Sequence, residues 1–174
     1  MKSGIRINSG ISIKQSPTHG MGVFASRDFK KGELVYKTPR GNFVKMKDVK
    51  NLSLDDKEHL DRVDKNTYEL MREPARFVNH SCEPNIFERI MPDGIYGYAN
   101  QDIVNGEELG VDYRIRAHDD WTMECFCGAK SCAGIVKGNF FSLSARLQKK
   151  YLPFAPTFIQ AEYVERQLSG KRRR

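Results

Sequence analysis

A chain of 174 residues fits one domain of ordinary size and is long enough to bury about 70% of its surface on folding. With 39% hydrophobic and 29% charged residues it is neither a fibre nor an acidic unstructured chain, and no apolar run nears the ~18 residues that cross a bilayer. Lys and Arg exceed Asp and Glu by 29 to 22, a net charge of +7 that suits an acidic partner without demanding one.

Residues 5–13, IRINSGISI, alternate apolar and polar and read as a strand. The same stretch lacks the apolar block of a signal peptide, so a soluble, non-exported protein without a membrane partner is expected. PTHGMG at 17–22 reads as a turn, and the short apolar pieces at 23–26 and 34–37 flank a second turn, Phe29-Lys30-Lys31-Gly32. Residues 45–73 are polar and read as an insertion on a β scaffold. There Ser53 is placed to cap a helix from Leu54, with Asp56 in the box position and Leu60 and Val63 as a thin apolar stripe. A second short helix is expected over Thr67–Glu73, ended by Pro74. Residues 86–99 carry apolar positions on both sides of Pro92-Asp93-Gly94 and predict a hairpin, and 102–113 predict a further turn and short strand. Two helices are expected near the end, Ser142–Tyr151 and Thr157–Leu168, before a solvated GKRRR tail. The chain as a whole is expected to be mainly β with short helices.

Four cysteines stand at 82, 125, 127 and 132, too few for a dense disulfide scaffold. Cys82, Cys125, Cys127 and Cys132 offer the four thiolates of a tetrahedral zinc site. Full thiolate ligation leaves no open position, so such a zinc is structural and not a Lewis acid. Three surface thiols and one core cysteine are the plainer alternative. The paired ligand spacing of a nucleic-acid finger is missing, and direct contact with nucleic acid is left open. His19-Gly20-Met21-Gly22-Val23-Phe24 has two glycines one residue apart, which permits a tight turn or a close ligand, yet it is neither a dinucleotide fingerprint nor a P-loop. Arg76-Phe77-Val78-Asn79-His80-Ser81-Cys82-Glu83-Pro84-Asn85 mixes core and hydrogen-bonding residues unusually densely and contains the first cysteine.

In order along the chain, four segments resemble the motifs of SET-domain protein lysine methyltransferases. They are Gly20–Ala25, Arg76–Asn85, Asp102–Tyr113 with its Gly106-Glu107-Glu108-Leu109, and the post-SET-like Cys125-Phe126-Cys127-Gly128 with Cys132. The resemblance covers about residues 10–136. It implies a β-clip-like fold of small twisted sheets with a C-terminal pseudoknot. It also implies S-adenosyl-L-methionine as methyl donor and a lysine side chain of a protein as acceptor, histone tails leading. Tyr113 is implied as the catalytic hydroxyl, beside the reacting amine. Met21, Gly22, Arg76, Asn79, His80, Tyr113 and Phe126 are implied at the cofactor, and Tyr36, Tyr96, Tyr98 and Val111 along the lysine channel. The four cysteines are implied to hold one structural zinc that shields the cofactor pocket.

Two features depart from many relatives. Val111 replaces an aromatic residue two positions before the tyrosine, which leaves the number of methyl groups open, and the insertion at 45–73 is short and polar. The implied organisation is a SET catalytic domain over 1–120, a post-SET zinc segment over 121–136 and a helical extension with basic tail over 137–174. A monomer in the cytoplasm or nucleus is expected. The alternative is a non-catalytic SET-like adaptor or peptide-binding zinc protein.

Overall fold

The computed structural model describes residues 10–171. The expected strand over 5–13 falls partly, and the GKRRR tail mostly, outside them. The chain is built from several small sheets and few short helices, the β-rich fold expected. It forms two compact units that interleave along the sequence. One takes the chain up to Asn42, Met71–Tyr113 and Met123–Val136; the other takes Phe43–Leu70, Arg114–Thr122 and the chain from Lys137 on.

In the first unit, β1 (Ile11–Gln15) and β2 (Met21–Ala25) pair antiparallel across the turn at 16–20. Ser16 makes that turn: its Oγ accepts the Thr18 and His19 N–H groups, and Gly20 takes the positive φ of 48° that only glycine adopts freely. Residues 106–109 lie beside β2, with Leu109 N–H donating to the Val23 carbonyl and Ala25 N–H to that of Glu107. A three-stranded sheet places β9 (Gly94–Ala99) between β3 (Leu34–Thr38) and β8 (Ile86–Met91). The β8–β9 hairpin turns at Pro92-Asp93, as the sequence predicts. Ile86, Ile95, Ala99, Val35, Val78 and Leu109 build the core against this sheet.

One cross-strand row of the sheet is unusual. Tyr36, Gly97 and Glu88 are in register across β3, β9 and β8. A Cβ on Gly97 would run into the Tyr36 ring, so the glycine makes the room that lets a fully buried tyrosine lie across the middle strand. Tyr96 and Tyr98 have the opposite parity and point to the other face, where both are half-buried.

In the second unit, β4 (Asn42–Lys45), β6 (Thr67–Leu70) and β5 (Leu60–Asp64) form a sheet in that order. The Ser53 cap is present: its hydroxyl accepts the Asp56 N–H at 3.1 Å and donates to the Asp56 carboxylate, starting α1 (Leu54–Glu58). The helix expected over Thr67–Glu73 is instead strand β6, and the apolar pair Leu60 and Val63 belongs to β5. Thr67 and Glu69 are buried while Tyr68 and Leu70 are half-buried, the period of a strand. An Asx turn, with Asn66 N–H donating to the Asp64 side chain, reverses the chain between the two. Arg116 forms a buried ion pair with Asp61. β11 (His118–Glu124) pairs with β12 (Ile135–Asn139). The expected C-terminal helices are α2 (Ala145–Tyr151), capped by Ser144, and α3 (Thr157–Lys171), which buries Ile159.

Gly97→Ala is expected to destabilise the protein by about 1–3 kcal/mol through overpacking. Tyr36→Leu, which removes the opposing ring, is expected to recover part of that loss in the double mutant. Denaturant unfolding of the four-protein cycle measures both, and additive losses would contradict the packing account.

Candidate functional site

The two densest sequence motifs meet in a short parallel pairing. β7 (Asn79–His80) lies against β10 (Gly110–Val111), with Asn79 opposite Gly110 and His80 opposite Val111. Asn85 locks this pairing from behind. Its buried amide donates to Glu107 Oε1 and the Glu108 carbonyl, both at 2.9 Å, while its oxygen accepts the Gly110 N–H at 2.8 Å. Every polar atom of that side chain has a partner, so a buried amide here fixes the register instead of costing stability. Glu107 also accepts the Val104 N–H, closing the loop before β10.

Two residues beyond β10, Tyr113 is carried back over β7. Its hydroxyl donates to the Val78 carbonyl at 3.0 Å, its N–H donates to His80 Nδ1 at 3.2 Å, and its ring meets the His80 ring edge-on at 5.3 Å. Burial, reinforced by the negative charges of Glu88 and Glu108, pushes the phenol above its ordinary value of ten. Tyr113 therefore stays an O–H donor at every physiological pH.

Asn79 joins the glycine motif to this centre. Its Nδ2 lies within hydrogen-bond distance of the His19 and Met21 carbonyls and of Glu108 Oε1, three acceptors for two hydrogens. Gly22 packs against Glu108, whose carboxylate a Cβ would meet, and the same carboxylate accepts from Ser16. Met21 is exposed at the start of β2, and Arg76 is half-buried in the 3-10 turn Ala75–Phe77.

The four cysteines converge. The sulfurs of Cys82, Cys125, Cys127 and Cys132 all lie within 4.8 Å of one another. Cys82 and Cys125 are 3.9 Å apart, against about 3.8 Å for a tetrahedron with Zn–S bonds of about 2.3 Å. Backbone N–H groups point at the sulfurs, Cys82 N–H toward Cys127 and Ala133 N–H toward Cys82. Burial pushes the Cys125 thiol up to about 12, while backbone donors hold the Cys127 thiol down at about 7 despite its burial. His80 Nε2 lies 3.3 Å from Cys82 Sγ. Because Nδ1 accepts from Tyr113, the Nε2–H tautomer satisfies both ends of the ring, linking the cluster to the tyrosine. Phe126, between two of the cysteines, is 72% exposed.

The aromatic residues read as a channel separate onto two faces. Tyr36 is buried, and its hydroxyl donates to Glu88 Oε1 at 2.7 Å. Tyr96 lies toward solvent, donating to Asp93 beneath the Lys37 ammonium. Tyr98 sits on the same outer face as Tyr96, opposite Phe87 and Leu34. Val111 packs against the core beside the pairing. A cavity of about 350 Å³ in the second unit, lined by Trp121, Lys137, Phe141 and Arg166 among others, includes none of the residues singled out in the sequence.

Glu88 is the residue that sequence reasoning passed over. It is 8% exposed, and burial pushes its carboxyl up to about 7, with the Tyr36 hydrogen bond opposing the shift. The signal was present in the period of β8, where residues 86 and 88 share the core face and the second is an acid.

The SET-domain family model matches residues 20–114, and the chain belongs to this family. A human histone-lysine N-methyltransferase 2B is 32% identical over 135 residues, covering 70% of this chain. An H3 lysine-4-specific histone-lysine N-methyltransferase of Schizosaccharomyces pombe is 46% identical over 66 residues, covering 36% of it. The chain spans only 5% and 7% of the length of those two relatives. A Plasmodium falciparum structure described as a candidate histone methyltransferase shares the fold. Its TM-score is 0.51 at 24% identity, and the match covers 62% of this chain and 95% of that one.

Glu88 binds its proton more tightly folded than unfolded, so its contribution to stability is fully present below about pH 4.5 and is lost as pH rises toward about 7. The lost amount is up to about 3 kcal/mol. Relative to wild type, Glu88→Gln is expected to gain stability across that window and to differ by a constant amount above pH 8. Urea unfolding from pH 4.5 to 9 measures it; a difference that does not change with pH would contradict the buried, proton-holding carboxyl.

Proposed function

We propose that this chain is an S-adenosylmethionine-dependent protein-lysine N-methyltransferase, with histone tails the leading substrate. The observation that carries this is the Tyr113 hydroxyl, a permanently protonated donor, held over the β7–β10 pairing of a SET-domain chain. The names of the relatives agree with it, and chromatin is the corresponding place of action. No helix among the described residues is long and apolar enough to cross a membrane.

The bound donor supplies an electrophilic methyl group on a sulfonium. The chain's residues then have three tasks. Met21, Gly22, Arg76, Asn79 and His80 bind the donor, and the exposed Phe126 ring gives it an apolar cover. Tyr113 orients the acceptor nitrogen by accepting one amine N–H on its phenol oxygen, whose own proton is given to the Val78 carbonyl, so the lone pair stays free and in line and the residue contributes through positioning. Burial of the lysine beside Val111 and the aromatic residues favours the neutral amine, because an ammonium loses its hydration there. Tyr36 is proposed among its aromatic surroundings; Tyr96 and Tyr98 lie on the other face of the sheet.

Cys82, Cys125, Cys127 and Cys132 are proposed to hold one zinc. Their sulfur spacing fits, and four thiolates leave the metal no catalytic position. Through Cys82, His80 and Phe126 the cluster braces the donor side of the site. A monomer is proposed to be the working form.

Incubation with labelled S-adenosylmethionine and a protein extract is expected to label lysines, identified by mass spectrometry. No transfer across such a panel would contradict the enzyme and leave a binding module. Tyr113→Phe is expected to keep the fold and lower kcat by about 10²-fold or more, the usual scale of losing one oriented hydrogen-bonding group; unchanged turnover would remove the role. Metal analysis is expected to find about one zinc per chain. Chelation is expected to lower both Tm and affinity for S-adenosylhomocysteine by calorimetry. A metal-free protein with native Tm and undiminished affinity would contradict the zinc assignment.

A further inference from the structure

The proposed reaction leaves one chemical requirement without a residue. A lysine side chain arrives as an ammonium, with an ordinary pKa near 10.4, and must lose a proton before its nitrogen can accept a methyl group. Tyr113 is the wrong group to take it, because its own hydroxyl is held protonated by burial and by the charges of Glu88 and Glu108. His80 is occupied at both nitrogens, by the Tyr113 N–H and by Cys82.

Glu88 has the required chemistry and is hydrogen-bonded to Tyr36, which is proposed beside the lysine. It projects from β8 on the core face, in register with Gly97 and Tyr36. The missing side chain at 97 lets the Tyr36 ring cross the strand and put its hydroxyl 2.7 Å from Glu88 Oε1. With Glu108, it is one of the two carboxylates whose negative charge helps keep the Tyr113 phenol protonated. Among the groups that face it are Tyr36 from β3 and the Ile95, Gly97 and Ala99 face of β9. A tyrosine hydroxyl and an acid thus form one buried pair, and the acid is the member able to accept a proton near neutrality.

Building on the lysine-methyltransferase reading, we propose that Glu88 is the proton acceptor for the incoming lysine and that Tyr36, seated over Gly97, sets its basicity. In the step, one N–H bond of the lysine ammonium breaks and an O–H bond forms on the Glu88 carboxylate. The nitrogen is left neutral with its lone pair, ready for the methyl group of the sulfonium donor, and Glu88 becomes a neutral acid. Its proton passes to solvent before the next cycle. A neutral acid beside the product methylammonium also avoids holding that cation by an ion pair, which favours release.

The test is the pH dependence of kcat/KM for methyl incorporation into core histones from labelled S-adenosylmethionine, between pH 6 and 10. Wild type is expected to show a bend near pH 7, where Glu88 loses its proton. Glu88→Gln is expected to lose the bend, to be about 10²-fold slower at pH 7, and to converge on wild type toward pH 10, where the lysine deprotonates unaided. Tyr36→Phe removes a hydrogen bond that favours the carboxylate, so its bend is expected to move to higher pH. Calorimetric affinity for S-adenosylhomocysteine is expected to be the same in all three. If wild type transfers methyl groups but Glu88→Gln has the same profile, or is slower by one constant factor at every pH, the Glu88 assignment is overturned and the enzyme stands. If Glu88→Gln does not fold, Tyr36→Phe decides, and an unmoved bend overturns the proposal. If wild type transfers nothing to histones or to a protein extract, both the assignment and the enzyme reading fall.

Discussion

Four residues paired in parallel organise everything else in the first unit. Asn79–His80 against Gly110–Val111 is a short contact, and two-residue strands have little stability of their own. Asn85 makes it persist by clamping Glu107, the Glu108 backbone and Gly110 with one fully satisfied buried amide. Because that register is fixed, Tyr113 comes back over Val78, His80 lies between tyrosine and cysteine, and the glycine motif is tied in through Asn79. A one-residue slip would reverse the side on which each of these groups points.

One row of the neighbouring sheet gives up stability. The sheet facing the pairing buries an acid, a tyrosine and a glycine in one row, where three aliphatic residues would pack without polar demands. Such a row costs stability when the acid ionises, and residues that break a local packing rule concentrate where a protein does chemistry. The cysteine cluster works in the opposite direction. Once closed by a metal, it ties residues 125–132 to the end of the Arg76–Asn85 motif without relying on the sheets.

Much of this was legible in the residues. The hairpin at 86–99 was marked by Pro92-Asp93-Gly94, and the Ser53 cap by its box partner Asp56. The cysteine spacing predicted a cluster that the structure brings together. What escaped had physical reasons. Leu60 and Val63 are three apart and suit a helix, but a register shift between Arg62 and Asp64 breaks the strand period there and hid it. Glu88 belongs to none of the motifs, and only the strand parity puts it among Ile86, Ile95 and Ala99. Tyr36 needed the opposing glycine, a relation between strands that sequence order alone does not display.

A structure of the protein with S-adenosylhomocysteine and a lysine peptide would test the central claim most directly. The account predicts the lysine nitrogen within about 3–3.5 Å of the Tyr113 hydroxyl and in line with the donor sulfur. A lysine bound elsewhere, with the Tyr113 hydroxyl closed off from both ligands, would contradict it.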